Sequence, residues 1–182
     1  MIATPRLRLR PFGPADLPAF AAYRADPGVA RHQSWDASYT LADAERFLAE
    51  QAGLALGTPG EWVQVAIADR ERDALLGDCA CLVLQDPPRT AEVGVTLAPA
   101  SQGRGIAAEA LRGLIGELFA ARGMHRVIAR ADDRNAAVQR LLERLGLRLE
   151  ARHVEADWFK GEWTTLRVYA VLAREWGAGA PA

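Results

Sequence analysis

The segment Gln102-Gly103-Arg104-Gly105-Ile106-Ala107 combines residue types that can hold a phosphate through the backbone alone. Glycine permits close approach and positive φ, and a helix starting after it offers free N–H groups and the positive end of its dipole. Pyrophosphate is the natural guest, although an ordinary tight turn before a helix would use the same residues. Two nucleotide patterns compete for the segment. A P-loop is excluded, because no Gly-Lys-Ser/Thr follows. Gly103 to Ala108 does match G-x-G-x-x-A, with Asp132 near the place of a ribose-binding acid. Against it, Pro99 to Gln102 separates the preceding strand from the first glycine, and only about fifty residues follow Asp132. That is too little chain to complete a doubly wound sheet.

Other reactive side chains are sparse. Cys79 and Cys81 stand two apart in an apolar run, where strand geometry puts both on one face without bridging them, so buried or half-buried free thiols are expected. His32, His125 and His153 lie far apart and show no ligand spacing, so no metal site is expected. The 22 basic and 23 acidic residues nearly cancel, which gives no general attraction to nucleic acid or to an anionic membrane. The distribution says more: residues 1–100 carry 9 basic and 13 acidic side chains, and residues 101–152 carry 10 and 6. A basic middle segment suits a small anionic ligand. All the basic residues except Lys160 are arginine, a bias that reads as codon usage.

The elements that must position these residues follow from periodicity. Leu7 to Arg10 alternates as a strand, and Asp16 caps or begins a helix through Leu17, Phe20 and Tyr23 that stops at Asp26-Pro27-Gly28. Thr40, three residues before Asp43, is an N-cap for a second helix. Trp62 to Ala68, Leu75 to Leu84 and Ala91 to Leu97 read as an antiparallel meander. Residues 104–122 carry a wide apolar stripe at helical spacing. A strand over Arg126 to Ala131, a helix over Asn135 to Leu145 and strands near 147–156 and 163–172 complete the chain.

The predicted order, β-α-α-β-β-β-α-β-α-β-β, is mixed α/β (α+β) in one domain over residues 1–176, with a flexible tail from 177 to 182. No run of ~20 apolar residues offers a membrane span, and the N-terminus alternates instead of forming a signal-peptide core. No membrane association and a cytoplasmic location are expected.

With these elements in place, Q-x-x-G-x-A at Gln102, Gly105 and Ala107, between Glu92-Val-Gly-Val-Thr-Leu97 and a long helix, resembles the acyl-CoA-binding core of the GNAT N-acetyltransferases. Thr4-Pro5-Arg6-Leu7-Arg8-Leu9-Arg10, Asp26-Pro27, Leu142-Glu143-Arg144-Leu145-Gly146 and Phe159-Lys160-Gly161-Glu162-Trp163 are similar to its RimJ/RimL branch. The resemblance spans roughly residues 4 to 172. It implies a mostly antiparallel sheet flanked by helices, with acetyl-CoA lying where one strand splays from its neighbour.

Carried over by position, the backbone at Val95 and Leu97 would pair with the pantetheine arm, and Gln102, Gly103, Arg104, Gly105, Ile106 and Ala107 would wrap the pyrophosphate. Asn135 would bond the arm, or serve as an N-cap, or both. The implied reaction moves acetyl to a primary amine, with Glu92 as base; a solvated edge-strand carboxylate is the plainer reading of Glu92. Trp35, His153 and Trp163 would line the acceptor side, with Trp158 and His32 nearby candidates, although each of these suits packing better than contact.

Two departures stand out. Leu142 and Val138 occupy positions where relatives carry a proton-donating tyrosine or serine, and Trp163-Thr164-Thr165 lacks the carboxylate of a W-x-D pattern. The expected acceptor is a protein N-terminal amine. A polyamine, amino acid or aminoglycoside is the alternative, as is a CoA-binding module without turnover, in a monomer or homodimer.

Overall fold

The computed structural model describes residues 1–177. Eight strands form one sheet: β1 (Ile2–Ala3), β2 (Leu7–Arg10), β3 (Trp62–Asp69), β4 (Leu75–Val83), β5 (Thr90–Leu97), β6 (Arg126–Asp132), β7 (Arg148–Phe159) and β8 (Glu162–Leu172). Their order across the sheet is β1-β2-β3-β4-β5-β6-β8-β7. Every neighbouring pair is antiparallel except β5 with β6. The predicted class and order of the principal elements hold. The antiparallel β3-β4-β5 meander before the glycine loop is incompatible with a doubly wound nucleotide fold.

The helices are α1 (Leu17–Arg24), α2 (Pro27–Ala30), α3 (Leu41–Glu50), α4 (Ile106–Ala120) and α5 (Ala136–Arg144). Strand alternation sends Val65, Ile67, Cys79, Cys81, Ala91 and Val93 to one face, where they pack with Leu111, Leu114, Ile115 and Leu118 of α4 and Leu141 and Leu142 of α5. The opposite face carries a smaller core of Leu17, Phe20, Tyr23, Val29, Ala44 and Phe47. Both cysteines are buried and free, as expected. No helix among the described residues is long and apolar enough to cross a membrane.

Two local readings need correction. Asp26-Pro27-Gly28 does not simply end α1: the Asp26 carboxylate accepts from the Gly28 and Val29 N–H groups and caps α2, with Pro27 at its first position. The N-terminus also adds the two-residue strand β1, folded back on β2. Thr40, by contrast, caps α3 in a reciprocal box with Asp43. Of the expected tail, residues 178–182 lie outside the described residues.

The decisive feature is where pairing stops. Parallel β5 and β6 pair only at Thr90–Arg126, Ala91–Val127 and Glu92–Ile128. Beyond Glu92, β5 stays on β4 as far as Leu97, while β6 follows β8 as far as Asp132. The facing edges of Val93–Leu97 and Ala129–Asp132 therefore separate, and backbone groups that a closed sheet would pair are left toward the gap.

Candidate active site in the sheet splay

Two cavities meet at this gap. The larger, about 900 Å³, runs between the start of α4 and the start of α5, and is lined by Val95, Leu97, Gln102, Gly103, Gly105, Ile106, Ala107 and Asn135 among others. It thus gathers eight of the nine residues expected to hold the cofactor. Arg104 is the exception; its side chain does not line the groove. Gly103 and Gly105 adopt φ of 71° and 76°, the left-handed region that L side chains rarely occupy. The Gln102 side-chain amide donates to the Leu97 carbonyl at 3.2 Å, tying the loop to the end of β5.

The groove's electrostatics were only partly visible in the sequence. Arg31, Arg112, Arg134, Arg140 and Arg144 line it, and among the described residues no Asp or Glu does. The basic middle segment supplies four of these; Arg31 comes from the loop after α2. Asn135 caps α5, its Oδ1 accepting from the Val138 N–H at 3.2 Å, and it lines both cavities, so the capping role and a place facing the gap coexist.

The smaller cavity, about 170 Å³, lies toward α1 and α2 and is lined by Arg24, Trp35, Gln64, Asp78, Gly94 and Arg130 among others. Here the polar groups form a buried network that sequence reasoning missed. Tyr23 donates to Asp78 at 2.5 Å, and Arg24 donates to Gln64 at 2.8 Å while lying 4.0 Å from Asp78. The Arg24 guanidinium also sits 3.7 Å from the Trp35 ring and 4.2 Å from that of Phe20. Burial raises the Asp78 carboxyl, with Arg24 and Tyr23 acting against it. A lone Asp in an apolar strand and an Arg at a helix end offered no sequence spacing that joins them.

Glu92 stands beside this pocket without lining it, with a side chain 12% exposed and 3.4 Å from the Arg130 Nε. Burial pushes its carboxyl up, partly opposed by the Arg130 charge. His32 lines both cavities; its Nδ1 is buried without a hydrogen-bond partner, and burial lowers its pKa. Leu142 and Val138 also line the smaller pocket, where they offer no proton. Tyr169, fully buried, donates to Glu143 and lines neither cavity.

Trp35 donates its indole N–H to the Arg24 carbonyl at 3.2 Å and walls the pocket. His153 and Trp163 are elsewhere: His153 is exposed on β7, and Trp163 is 60% exposed on β8, edge-on to Trp158. Neither lines either of these two cavities. Lys160 instead reaches back from the β7–β8 turn, donating to the carbonyls of Ala30 (2.9 Å) and Trp35 (2.7 Å).

The residues present fit acetyl-CoA. An unpaired strand edge can bond the amides of a pantetheine arm, and a glycine loop at a helix start, in a groove lined by arginines and no carboxylate, suits its phosphates.

Comparison with known proteins agrees. The sequence model of the acetyltransferase (GNAT) domain matches residues 6–148. The chain is 27% identical over 175 residues to the uncharacterised N-acetyltransferase YnaD of Bacillus subtilis (strain 168), covering 96% of this chain and 98% of that protein. Its fold matches Mycobacterium smegmatis RimJ in complex with CoA-disulfide, with a TM-score of 0.80 at 21% identity, covering 96% and 89% of the two chains. It also matches spermidine N-acetyltransferase from Vibrio cholerae in complex with CoA and spermine, with a TM-score of 0.80 at 17% identity, covering 94% and 98%. The splayed sheet, the glycine loop and these matches converge: the chain belongs to the GNAT family and is an N-acetyltransferase that uses acetyl-CoA.

Proposed function

We propose that the enzyme acetylates a protein N-terminal amine, in the cytoplasm. The observation that carries this reading is the small pocket. It meets the donor groove at His32, Gln33, Val95, Thr96, Asn135 and Val138, and its volume suits an amine with one small side chain entering end-on. The sequence resemblance to the RimJ/RimL branch supports the same acceptor class.

Bound acetyl-CoA supplies an activated acetyl group and a thiolate leaving group. The Val95 and Leu97 edge of β5 holds the arm and provides the N–H donor for the acyl oxygen. Gln102, Gly103, Gly105, Ile106 and Ala107 surround the pyrophosphate, Arg104 adds charge from outside the groove, and Asn135 bonds the arm. Glu92 accepts the proton of the entering ammonium, relayed by water past Arg130, since the carboxylate stands just outside the pocket. Trp35 walls the acceptor pocket; His153 and Trp163, on the exposed hairpin, meet the body of a polypeptide acceptor.

A small amine is the second reading, favoured by the pocket carboxylates Asp78 and Asp132 and by likeness to spermidine N-acetyltransferase. Thiol release with N-terminal peptides and a panel of polyamines, amino acids and aminoglycosides separates the two. Peptides are expected to give the higher kcat/KM; saturation by a free polyamine with peptides inert would reverse the assignment.

A further inference from the structure

The glycine loop is anchored to a distant part of the chain. Arg6, ahead of β2, donates through Nη1 to the Arg104 carbonyl at 3.0 Å and through Nε to Glu109 Oε2 at 2.6 Å. Its backbone N–H donates to Glu109 Oε1 at 2.8 Å, and Thr4 Oγ1 donates to the same oxygen at 2.6 Å. Glu109 lies in the first turn of α4 with its side chain 15% exposed. One guanidinium thus ties the middle of the loop to the helix that follows it.

The consequence comes from peptide geometry. A trans peptide is planar, so the carbonyl of Arg104 and the N–H of Gly105 point in opposite directions. With the carbonyl held by Arg6, the Gly105 N–H is turned away from Arg6, and Gly105 lines the donor groove. The N–H groups of Gly103, Arg104 and Gly105 donate to no backbone oxygen among the described residues. A Cβ on Gly105 would come 3.5 Å from Arg6 Nη2.

We propose that Arg6 is a positioning residue for donor binding, which, braced by Glu109, holds the Arg104 carbonyl so that the Gly105 N–H is presented to the pyrophosphate. The proposal rests on the reading that this loop binds the pyrophosphate of CoA. It differs in sign from a simple charge effect. If Arg6 acted only as a positive charge near the phosphates, removing the negative Glu109 would strengthen binding. Under the positioning role, removing Glu109 weakens it.

The test is calorimetric titration of the whole protein with CoA, together with turnover of S-acetylpantetheine, which lacks the pyrophosphate. Arg6→Ala and Glu109→Ala are each expected to weaken CoA binding about 10-fold, the scale of one charge-assisted hydrogen bond. kcat/KM for S-acetylpantetheine should stay within about twofold of wild type, since the pantetheine end of the groove is untouched. Arg6→Lys, which keeps the charge and loses the fork, should resemble Arg6→Ala. Wild-type affinity in Arg6→Lys, unchanged or tighter binding in Glu109→Ala, or equal losses with both donors would overturn the positioning role. Thermal unfolding reports whether each variant is folded, and Arg6→Lys decides alone if Glu109→Ala is not. Failure of wild type to bind CoA, by contrast, would overturn the underlying reading of the loop.

Discussion

As the proposed base, Glu92 carries the heaviest demand on a single side chain. Its carboxyl is raised above the ordinary glutamate value of 4.5 by burial, with Arg130 opposing. As a base it works only when ionised, so the wild-type rate should climb with pH through this raised value and level off above it. Glu92→Gln is expected to lower kcat about 100-fold or more, abolish that rise and leave CoA affinity unchanged. Stability moves the other way. A carboxyl whose folded value is raised resists ionisation in the fold, so it destabilises the protein above that value and the penalty fades as pH falls. Glu92→Gln should therefore raise the Tm at neutral pH; a fall in both Tm and rate would mark Glu92 as structural.

At the scale of elements, the strand leading into the site depends on a neighbour with no side chain. Gly77 of β4 lies opposite Leu97, and a Cβ there would fall 2.2 Å from the Thr96 carbonyl oxygen and 2.8 Å from the Leu97 Cα. Backbone cannot rotate out of the way as a side chain can. Gly77→Ala is expected to cost about 1–3 kcal/mol in denaturant unfolding and to raise the KM for acetyl-CoA by displacing the end of β5. The wall of the proposed acceptor pocket is set at this scale too. Lys160 and Gly161, at φ of 50° and 85°, make a two-residue turn that carries the lysine ammonium onto the Ala30 and Trp35 carbonyls. The lone lysine is thus occupied with protein oxygens beside the pocket. Capping at Thr40 and Asn135 was readable because cap and partner lie three residues apart. Asp26-Pro27 ends α1 as its residue types imply, but the same dipeptide also begins α2, which its spacing does not announce.

For the whole molecule, the donor groove exists only when β5, α4, β6 and α5 come together. Five arginines in it predict that CoA affinity falls as salt rises, measured by titration at several ionic strengths. Saturation with CoA at about 100 times its Kd should stabilise the fold by about 2.7 kcal/mol, read as a shift in thermal unfolding. The core makes a separate prediction. Cys79 and Cys81 are buried, and burial pushes the Cys81 thiol up to about 12 and the Cys79 thiol well above its ordinary value. A thiol reagent should label neither in the native enzyme and both in denaturant; rapid native labelling would mean that the sheet opens beneath α4.

By itself the sequence determined what depends on near neighbours. Alternation and helical spacing set the succession of strands and helices, the glycines set a loop able to take positive φ, and motif order carried the family resemblance. Tertiary structure alone decided what depends on distant partners. Whether β5 and β6 pair for three residues or seven is a property of two strands about thirty residues apart, and that choice opens the cleft. Arg24 beside Asp78, Arg6 beneath Arg104, and His153 and Trp163 outside both cavities are likewise invisible to spacing. A side chain's type is written in the sequence, but the partner that shifts its pKa, aims its hydrogen bonds or removes it from water is supplied by the fold.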